Sequence, residues 1–146
     1  MNDIKTRIAA HPVAQSLSDK ALNVLMARAR DEVFETGQLI LRAHEPANCI
    51  YLIERGKVAI ESHETGGDRP VQTIGAGTLL GWSWLFPPFT WHLQARALEQ
   101  TAVIRLDGGH VLAACEADHD VGYEIVKRMA QVLIQRLNAV ISQNKA

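Results

Sequence analysis

The residues with the most distinctive chemistry are three tryptophans, Trp82, Trp84 and Trp91, which lie in one short uncharged segment. Five of the eight aromatic residues of the chain fall between positions 82 and 91, and no Asp, Glu, Lys or Arg occurs at positions 70–95. Ligand pockets are mostly apolar and carry a few placed polar groups. The segment is therefore interpreted either as the wall of a pocket for a small ligand or as a loop buried in the core or beneath a partner.

Polar groups near the tryptophans are compatible with an anionic ligand. The backbone N–H groups of residues 81–83 can form an anion-binding nest, and His92 can carry a positive charge. Arg96 is the nearest permanent cation in the sequence. An exposed indole stacks on a base or a nicotinamide with about 1–3 kcal/mol of binding free energy, by analogy with single-strand binding. The predicted ligand-binding residues are Gly81, Trp82, Ser83, Trp84, Trp91, His92 and Arg96.

The other chemistry-bearing residues predict neither an enzyme nor a metal protein. Cys115 and His119 are four residues apart, a spacing that can hold a metal on one helix face. They lie at a predicted helix boundary with no second ligand pair nearby, so a polar helix cap is the favoured interpretation. No Ser-His-Asp order, phosphate-binding loop or paired-carboxylate motif is found. We therefore expect no catalytic residues, no metal and no required cofactor.

Composition limits the class of protein. A chain of 146 residues with 47% hydrophobic and 21% charged residues is typical of one globular domain. The net charge of -1 provides no electrostatic footprint for nucleic acid. Two distant cysteines predict no disulfide framework, and no apolar run predicts a signal peptide or a membrane span. The expected location is the cytoplasm.

Short alternating runs between glycine-rich turns predict a β-barrel that positions the aromatic segment. Ser18 can cap an N-terminal helix over about 18–30, and two C-terminal helices are predicted over about 109–144. The single predicted domain covers residues 1–146, with the barrel at about 33–107. Strands are expected at 33–37, 38–42, 49–54, 57–62, 71–74, 92–97 and 101–106, with a polar hairpin tip at 64–68.

The long C-terminal helix has an apolar stripe that is wider than one neighbour needs. A surplus apolar patch usually marks an interface, and two-fold symmetry is the commonest arrangement of homo-oligomers. We therefore predict a homodimer, with a foreign protein partner as the competing interpretation. Arg136, on the same helix, is interpreted as a solvent-exposed charge, in preference to a residue that lies over a ligand. The predicted interface consists of Ile125, Met129, Val132, Leu133, Leu137 and Val140.

Three motifs carry a family resemblance. They are the segment from Phe34 to Gly37, residues 51–58 (YLIERGKV) and residues 74–81 (IGAGTLLG). In this order they resemble the cyclic nucleotide-binding domain of the bacterial catabolite-activator class and of eukaryotic kinase regulatory subunits. The resemblance covers roughly residues 12–137. It implies a mainly β fold, a jelly roll or barrel flanked by one N-terminal and two C-terminal helices.

The resemblance also implies a phosphate-binding cassette, from which this sequence departs at two positions. The family places a Glu, which accepts from the ribose 2′-hydroxyl, where this chain has Trp82. It places an Arg, which pairs with the cyclic phosphate, at or near Trp91. An indole donates one neutral N–H, whereas Arg makes a charge-assisted and often bidentate pair. We therefore expect that cAMP does not bind in the usual mode, and that the indoles either fill the pocket or line one for a nucleotide-like ligand.

The segment after the long helix also bears on function. The family's transcription factors continue there into a helix-turn-helix, which this sequence lacks, so direct DNA binding is not expected. The resemblance implies a non-enzymatic regulatory or sensor module that acts on another protein. The alternative is an interaction subunit without a small ligand in a larger complex, for example a redox or hydrogenase complex.

Overall fold

Antiparallel strands build two facing sheets in this computed structural model, which describes residues 3–64, 67–81 and 83–143. Within those residues the strands are β1 (Arg30–Phe34), β2 (Leu39–Leu41), β3 (Cys49–Arg55), β4 (Lys57–Glu64), β5 (Gly67–Gly75), β6 (Leu79–Leu80), β7 (Gln94–Ala97) and β8 (Thr101–Asp107). One four-stranded sheet has the order β1-β8-β3-β6, and the other has the order β2-β7-β4-β5. Every pairing between these strands is antiparallel.

Helices flank the sheets at both ends of the described chain. They are α1 (Ile4–Ala10), a 3-10 turn at Pro12–Ala14, α2 (Asp19–Met26), α3 (Gly108–Ala117) and α4 (His119–Gln143). Side-chain caps begin α1, α2 and α3: Asp3 Oδ1 accepts from the Thr6 N–H, Ser18 Oγ from the Ala21 N–H, and Asp107 Oδ1 from the His110 N–H. The predicted fold class, a β jelly roll or barrel with flanking helices, is confirmed.

Some predicted boundaries need correction. The helix α1 was not expected, and α2 ends at Met26, earlier than the predicted end near residue 30. The chain leaves the helix early because Arg30 already pairs with Arg105 in the β1–β8 ladder. The predicted strand at 92–97 begins at Gln94. The predicted hairpin tip at 64–68 includes residues 65 and 66, which lie outside the described residues.

The molecule has two apolar clusters, separated by the β1-β8-β3-β6 sheet. One lies between that sheet and the helices and includes Leu25, Ile50, Val111 and Ile125. The other lies between the two sheets and includes Phe34, Tyr51, Val58, Ile60, Trp91 and Ala95. Successive strand residues face opposite sides of a sheet, so β3 contributes to both clusters.

Polar contacts fasten the N-terminal segment to β3 and to α4. His11 is 5% exposed, and its Nε2 lies 2.9 Å from the Ile53 carbonyl oxygen. Arg128 of α4 donates from Nη2 to the Pro12 carbonyl at 2.7 Å and from Nε to the Val13 carbonyl at 2.8 Å. These contacts hold the first half of α4 against the segment at residues 11–14, which we call the N-terminal hook.

None of the helices in residues 3–64, 67–81 and 83–143 has both the length and the hydropathy required to cross a bilayer. Within the same ranges, no three His, Cys, Asp or Glu side chains gather in an arrangement suited to a metal ion.

Candidate functional site

Glycines set the path of the chain from β5 to the aromatic segment. Gly77 has a φ of +84°, and its N–H donates to the Ile53 carbonyl at 2.9 Å. Thr78 Oγ1 donates to the Gly75 carbonyl at 2.5 Å. Gly81, directly after β6, has a φ of +106°, a conformation that favours glycine. After these turns, Gly81 and Ser83 lie at the wall of a cavity.

A cavity of about 370 Å³ lies between the β2-β7-β4-β5 sheet, the segment after β6 and the C-terminal part of α4. Small-molecule sites usually enclose about 300–1,000 Å³. We call this space the barrel cavity. Most of its wall is apolar and includes Leu41, Ile60, Leu80, Leu133, Leu137 and Val140. The polar side chains among the described lining residues are Gln72, Ser83, His92, Gln94 and Arg136.

Trp91 forms one wall of the barrel cavity. Its side chain is 6% exposed and belongs to the apolar cluster between the sheets. A Cβ atom added at Gly81 would lie 3.0 Å from Trp91 Cη2, so the indole rests directly on the glycine backbone. Its backbone is held by the loop before β3, since the His44 N–H donates to the Trp91 carbonyl at 2.8 Å. Trp91 therefore occupies part of the space between the sheets, and the cavity remains beside it.

Trp84 has a different environment and does not line the barrel cavity. It is 2% exposed in the cluster between the sheet and the helices. Its Nε1 donates to the Gly81 carbonyl at 3.1 Å. A Cβ at Gly108 would lie 2.8 Å from Trp84 Cβ, so the start of α3 fits closely against this residue. The structure thus places Trp84 as an anchor of the loop, away from the cavity.

Arg96 is also outside the barrel cavity. It is not among the residues that line the cavity. Its guanidinium donates to the Gly37 carbonyl at 3.1 Å and approaches Glu61 Oε2 at 3.4 Å. Of the other predicted ligand residues, Gly81, Ser83, Trp91 and His92 line the cavity. Trp82 lies outside the described residues.

Arg136 is the cavity residue that the sequence interpretation misplaced. It is half-buried over the barrel cavity and donates from Nη2 to the Leu79 carbonyl, so its interpretation as a solvent-exposed charge is wrong. Burial lowers the pKa of its guanidinium to about 10, which still leaves it protonated at neutral pH. The sequence does contain a signal for this position. Arg136 lies three residues after Leu133 and four before Val140, and residues with these spacings share one face of a helix.

Two glutamines were also missed by the sequence interpretation. Gln72 is 8% exposed on β5, opposite Ile60 on β4, and it lines the barrel cavity. Gln94 is buried at the start of β7, and its Nε2 donates to Glu61 Oε1 at 2.7 Å. Both residues belong to stretches of the sequence that alternate apolar and polar residues. Such alternation indicates a strand and does not show which polar residue faces inward.

The residues of the predicted dimer interface separate into two groups. Ile125, Met129 and Val132 are 0%, 4% and 6% exposed, because they pack in the chain's own core, and the prediction for them is corrected. Leu133 and Leu137 are 43% and 59% exposed, and with Val140 they line the barrel cavity. The stripe on α4 thus contributes to the core first and to the cavity afterwards.

The barrel cavity has a clear electrostatic character. No Asp or Glu is among the described residues that line it, and Arg136 is the one Lys or Arg among them. A second cavity of about 290 Å³, between the N-terminal hook, the β5–β6 turn and α4, shares Gln72 and Arg136 with it. The two residues therefore lie at the boundary between the cavities. Such a site can bind neutral or anionic molecules, and it disfavours cations.

Comparisons with known proteins give the family. The sequence pattern of the cyclic nucleotide-binding domain matches residues 31–118, while curated proteins provide no significant match. Among solved structures, the chain is similar to a provisionally named cyclic nucleotide-binding protein from Geobacter metallireducens GS-15. The structural match has a TM-score of 0.83 and a sequence identity of 21%. It covers 93% of this chain and 99% of the Geobacter chain.

Two other solved structures have the same fold. A cyclic nucleotide-binding domain from Methylobacillus flagellatus KT gives a TM-score of 0.75 at 16% identity, over 88% of this chain and 72% of that chain. The regulatory domain of Toxoplasma gondii PKA, solved with cAMP, gives 0.66 at 17% identity, over 77% of this chain and 46% of that chain. At these identities the structures establish the fold alone. Since the family pattern covers more than half of the sequence, the chain belongs to the cyclic nucleotide-binding domain family.

Proposed function

We propose that the chain is a non-enzymatic regulatory module that senses a small ligand in the barrel cavity. The observation that carries this proposal is the cavity of about 370 Å³, which stays open although Trp91 stands at or near the position of the family's phosphate-binding Arg. If the indoles filled the barrel, a cavity of this size would not remain between its walls. The family pattern supports a nucleotide-like ligand. The residues that line the cavity limit the chemistry of that ligand.

The cavity does not favour the usual mode of cAMP binding. That mode needs a carboxylate for the ribose and a guanidinium from the cassette for the cyclic phosphate. No carboxylate is among the described lining residues, and Trp91 supplies one neutral N–H at most. A buried hydroxyl left without a partner costs about 1–3 kcal/mol. We therefore expect cAMP to bind at millimolar dissociation constant or weaker, about -4 kcal/mol.

The output of the module is proposed to pass through α4. Leu133 and Leu137 line the cavity and also present exposed surface, so a ligand that contacts them acts on a helix that another protein can contact. Ile134 and Ile141 are 59% and 48% exposed beside them. We propose that this C-terminal surface of α4 pairs with a second copy of the chain. The surface is apolar and continuous along the helix, as interfaces of homo-oligomers usually are.

A thermal-shift screen tests the sensor function. The ligands are cAMP, cGMP, cyclic dinucleotides, NADH, NADPH and ATP, each at saturating concentration. A ligand at 100 times its dissociation constant adds about 2.7 kcal/mol to the free energy of unfolding. We expect at most a small shift with cAMP. A micromolar dissociation constant for cAMP, measured by calorimetry, would contradict the non-standard mode.

The second candidate is an interaction subunit that has no small ligand. The exposed apolar residues of α4 favour it, because a foreign protein can cover them as well as a second copy can. The two functions differ in two measurements. A flat ligand screen, together with a chain that stays monomeric in light scattering, would favour the interaction subunit.

A further inference from the structure

We propose that the ligand of the barrel cavity is an apolar molecule with a single carboxylate, and that the carboxylate pairs with Arg136. This inference rests on the proposed sensor function and assigns a ligand class to the same cavity. It also assigns a ligand-binding role to a helix residue, in addition to the residues after β6.

The apolar part of the ligand follows from the cavity wall. Most of the described wall is hydrocarbon or indole, from residues such as Leu41, Ile60, Leu80, Trp91 and Leu137, and few of its side chains are polar. Burial of apolar surface contributes about 25 cal/mol for each Å² removed from water. A ligand with many hydroxyl or amine groups would lose more hydrogen bonds to water than the few polar side chains of this wall replace. A hydrocarbon or aromatic body suits this wall.

The charge of the ligand follows from Arg136. Its guanidinium is half-buried at the boundary of the cavity, and no described lining residue is an Asp or a Glu. A guanidinium has five N–H donors, so it can donate to the Leu79 carbonyl and still pair with a carboxylate. The desolvation that lowers its pKa is reduced when an anion lies beside it. An anionic group is therefore the complementary partner at this end of the cavity.

The same inventory favours a ligand with one negative charge. Arg136 is the one permanent cation among the described lining residues, and one guanidinium neutralises one negative charge. A phosphate monoester with two charges would leave one of them next to apolar walls, which is costly. A cyclic nucleotide has one charge, but its ribose hydroxyl and base edge require several polar partners. Gln94 is already engaged with Glu61, which leaves Gln72, Ser83 and His92 among the described lining residues. A monocarboxylate with an apolar body satisfies both the charge and the walls.

A matched pair of probes tests the proposal on the whole chain. 2-Naphthoate and 2-naphthamide share their rings and differ in charge, and titration calorimetry measures the affinity of each. We expect the wild type to bind 2-naphthoate at least about tenfold more tightly, because a charge-assisted hydrogen bond is stronger than a neutral one. Arg136→Gln should remove this preference and bind both probes equally. Lys127→Gln, which removes an exposed positive charge from the same helix, should preserve it.

An additional variant and a folding control complete the experiment. Leu137→Trp enlarges a half-exposed lining residue, and it should weaken the binding of both probes. Circular dichroism reports whether each variant is folded, and the comparison of the two probes on the wild type needs no variant. Equal affinity of the wild type for both probes, or a preference that survives Arg136→Gln in folded protein, overturns the carboxylate assignment and leaves the sensor function standing. Absence of binding of both probes, together with a flat nucleotide screen, overturns the sensor function itself.

Discussion

The two halves of α4 have the same kind of sequence and opposite environments. In residues 119–132, the apolar side chains at the core positions are buried, with Ile125 at 0% exposure. In residues 133–143, the apolar side chains are largely exposed, with Ile134 at 59%. The first half packs against α2, α3 and the N-terminal hook, whereas the second half lies over the barrel cavity.

The comparison shows that an apolar stripe in a helix sequence predicts a covered face. The stripe does not show whether the chain's own core, a ligand or another protein covers that face. One continuous pattern runs through both halves, because a helix places residues three and four apart on one face whether or not a neighbour is present. The first half is needed for folding. The second half contributes little to the core of a single chain, so its apolar residues require another explanation, for which we propose the ligand and the partner.

Matched isoleucines provide the sharpest test of this comparison. Ile125→Ala should lower the free energy of unfolding by about 2–5 kcal/mol, because it removes a fully buried side chain and leaves a cavity. Ile134→Ala should change it by less than about 0.5 kcal/mol, as is usual for exposed positions. Urea unfolding at low protein concentration measures both. Losses of similar size would show that the second half is also part of the core.

The contact between α4 and the N-terminal hook should give the next largest effect. Arg128→Met removes two charged hydrogen bonds, to the carbonyls of Pro12 and Val13, and should cost about 1–3 kcal/mol. Lys127→Met is the control, since Lys127 is exposed and lies over the Tyr123 ring at 5.5 Å, a contact worth about 0.5 kcal/mol. Urea unfolding compares the two variants. If Arg128→Met is no more damaging than its control, the hook is not held by α4.

The fold was largely predictable because its signals are local. Alternation of side chains marks the strands, and glycines such as Gly56 and Gly77 mark turns with positive φ. The helix α1 was missed because its seven residues carry little apolar periodicity, and Ile8 is its one buried residue. Its stability depends on tertiary contacts, including the ion pair from Arg7 to Glu54 at 2.5 Å. Such contacts are not visible in a local pattern.

The position of the candidate site was predictable only in part. The aromatic composition located the segment, and Gly81, Ser83, Trp91 and His92 do line the cavity. Composition does not show which way a side chain points, however, and Trp84 packs in the cluster between the sheet and the helices. Residues distant in sequence could not be placed by spacing alone. Arg136 was placed in solvent because a charged residue within an apolar face is usually solvated, whereas the fold puts it at the cavity.

The homodimer is tested with residues that leave the barrel cavity untouched. Ile134 and Ile141 are exposed on α4 and are not among the cavity-lining residues. Ile134→Glu with Ile141→Glu should weaken self-association by about tenfold or more, because burying one isoleucine is worth about 1.5–3 kcal/mol. Val33→Glu changes an exposed apolar residue on β1 and should have no effect. Sedimentation velocity of the three proteins measures the dimer fraction. A wild type that is monomeric at high micromolar concentration would contradict the dimer.

The smallest expected effect is a decrease in stability at acidic pH that arises from His11. This residue belongs to the N-terminal hook, which packs against the first half of α4. The Val13 N–H donates to His11 Nδ1 at 3.2 Å, so the folded state needs this nitrogen unprotonated. Burial lowers the pKa of His11 below its ordinary 6.5, and the Ile53 carbonyl and Glu54 only partly oppose this. The unfolded chain therefore takes up the proton at higher pH than the folded chain does. Stability from this group is complete above the ordinary pKa and falls as the pH decreases below it.

Replacing the imidazole separates this contribution from the rest of the acid dependence. His11→Asn should lower stability at neutral pH and should flatten its pH dependence between about pH 7 and pH 5, the range in which an ordinary histidine titrates. The carboxylates whose pKa is lowered by ion pairs, such as Asp31 and Asp107, titrate below that range. His119→Gln is the control, since His119 is exposed at the start of α4. Urea midpoints across the range provide the measurement. An unchanged slope in His11→Asn would mean that the protonation of His11 does not control how firmly the hook holds the first half of α4.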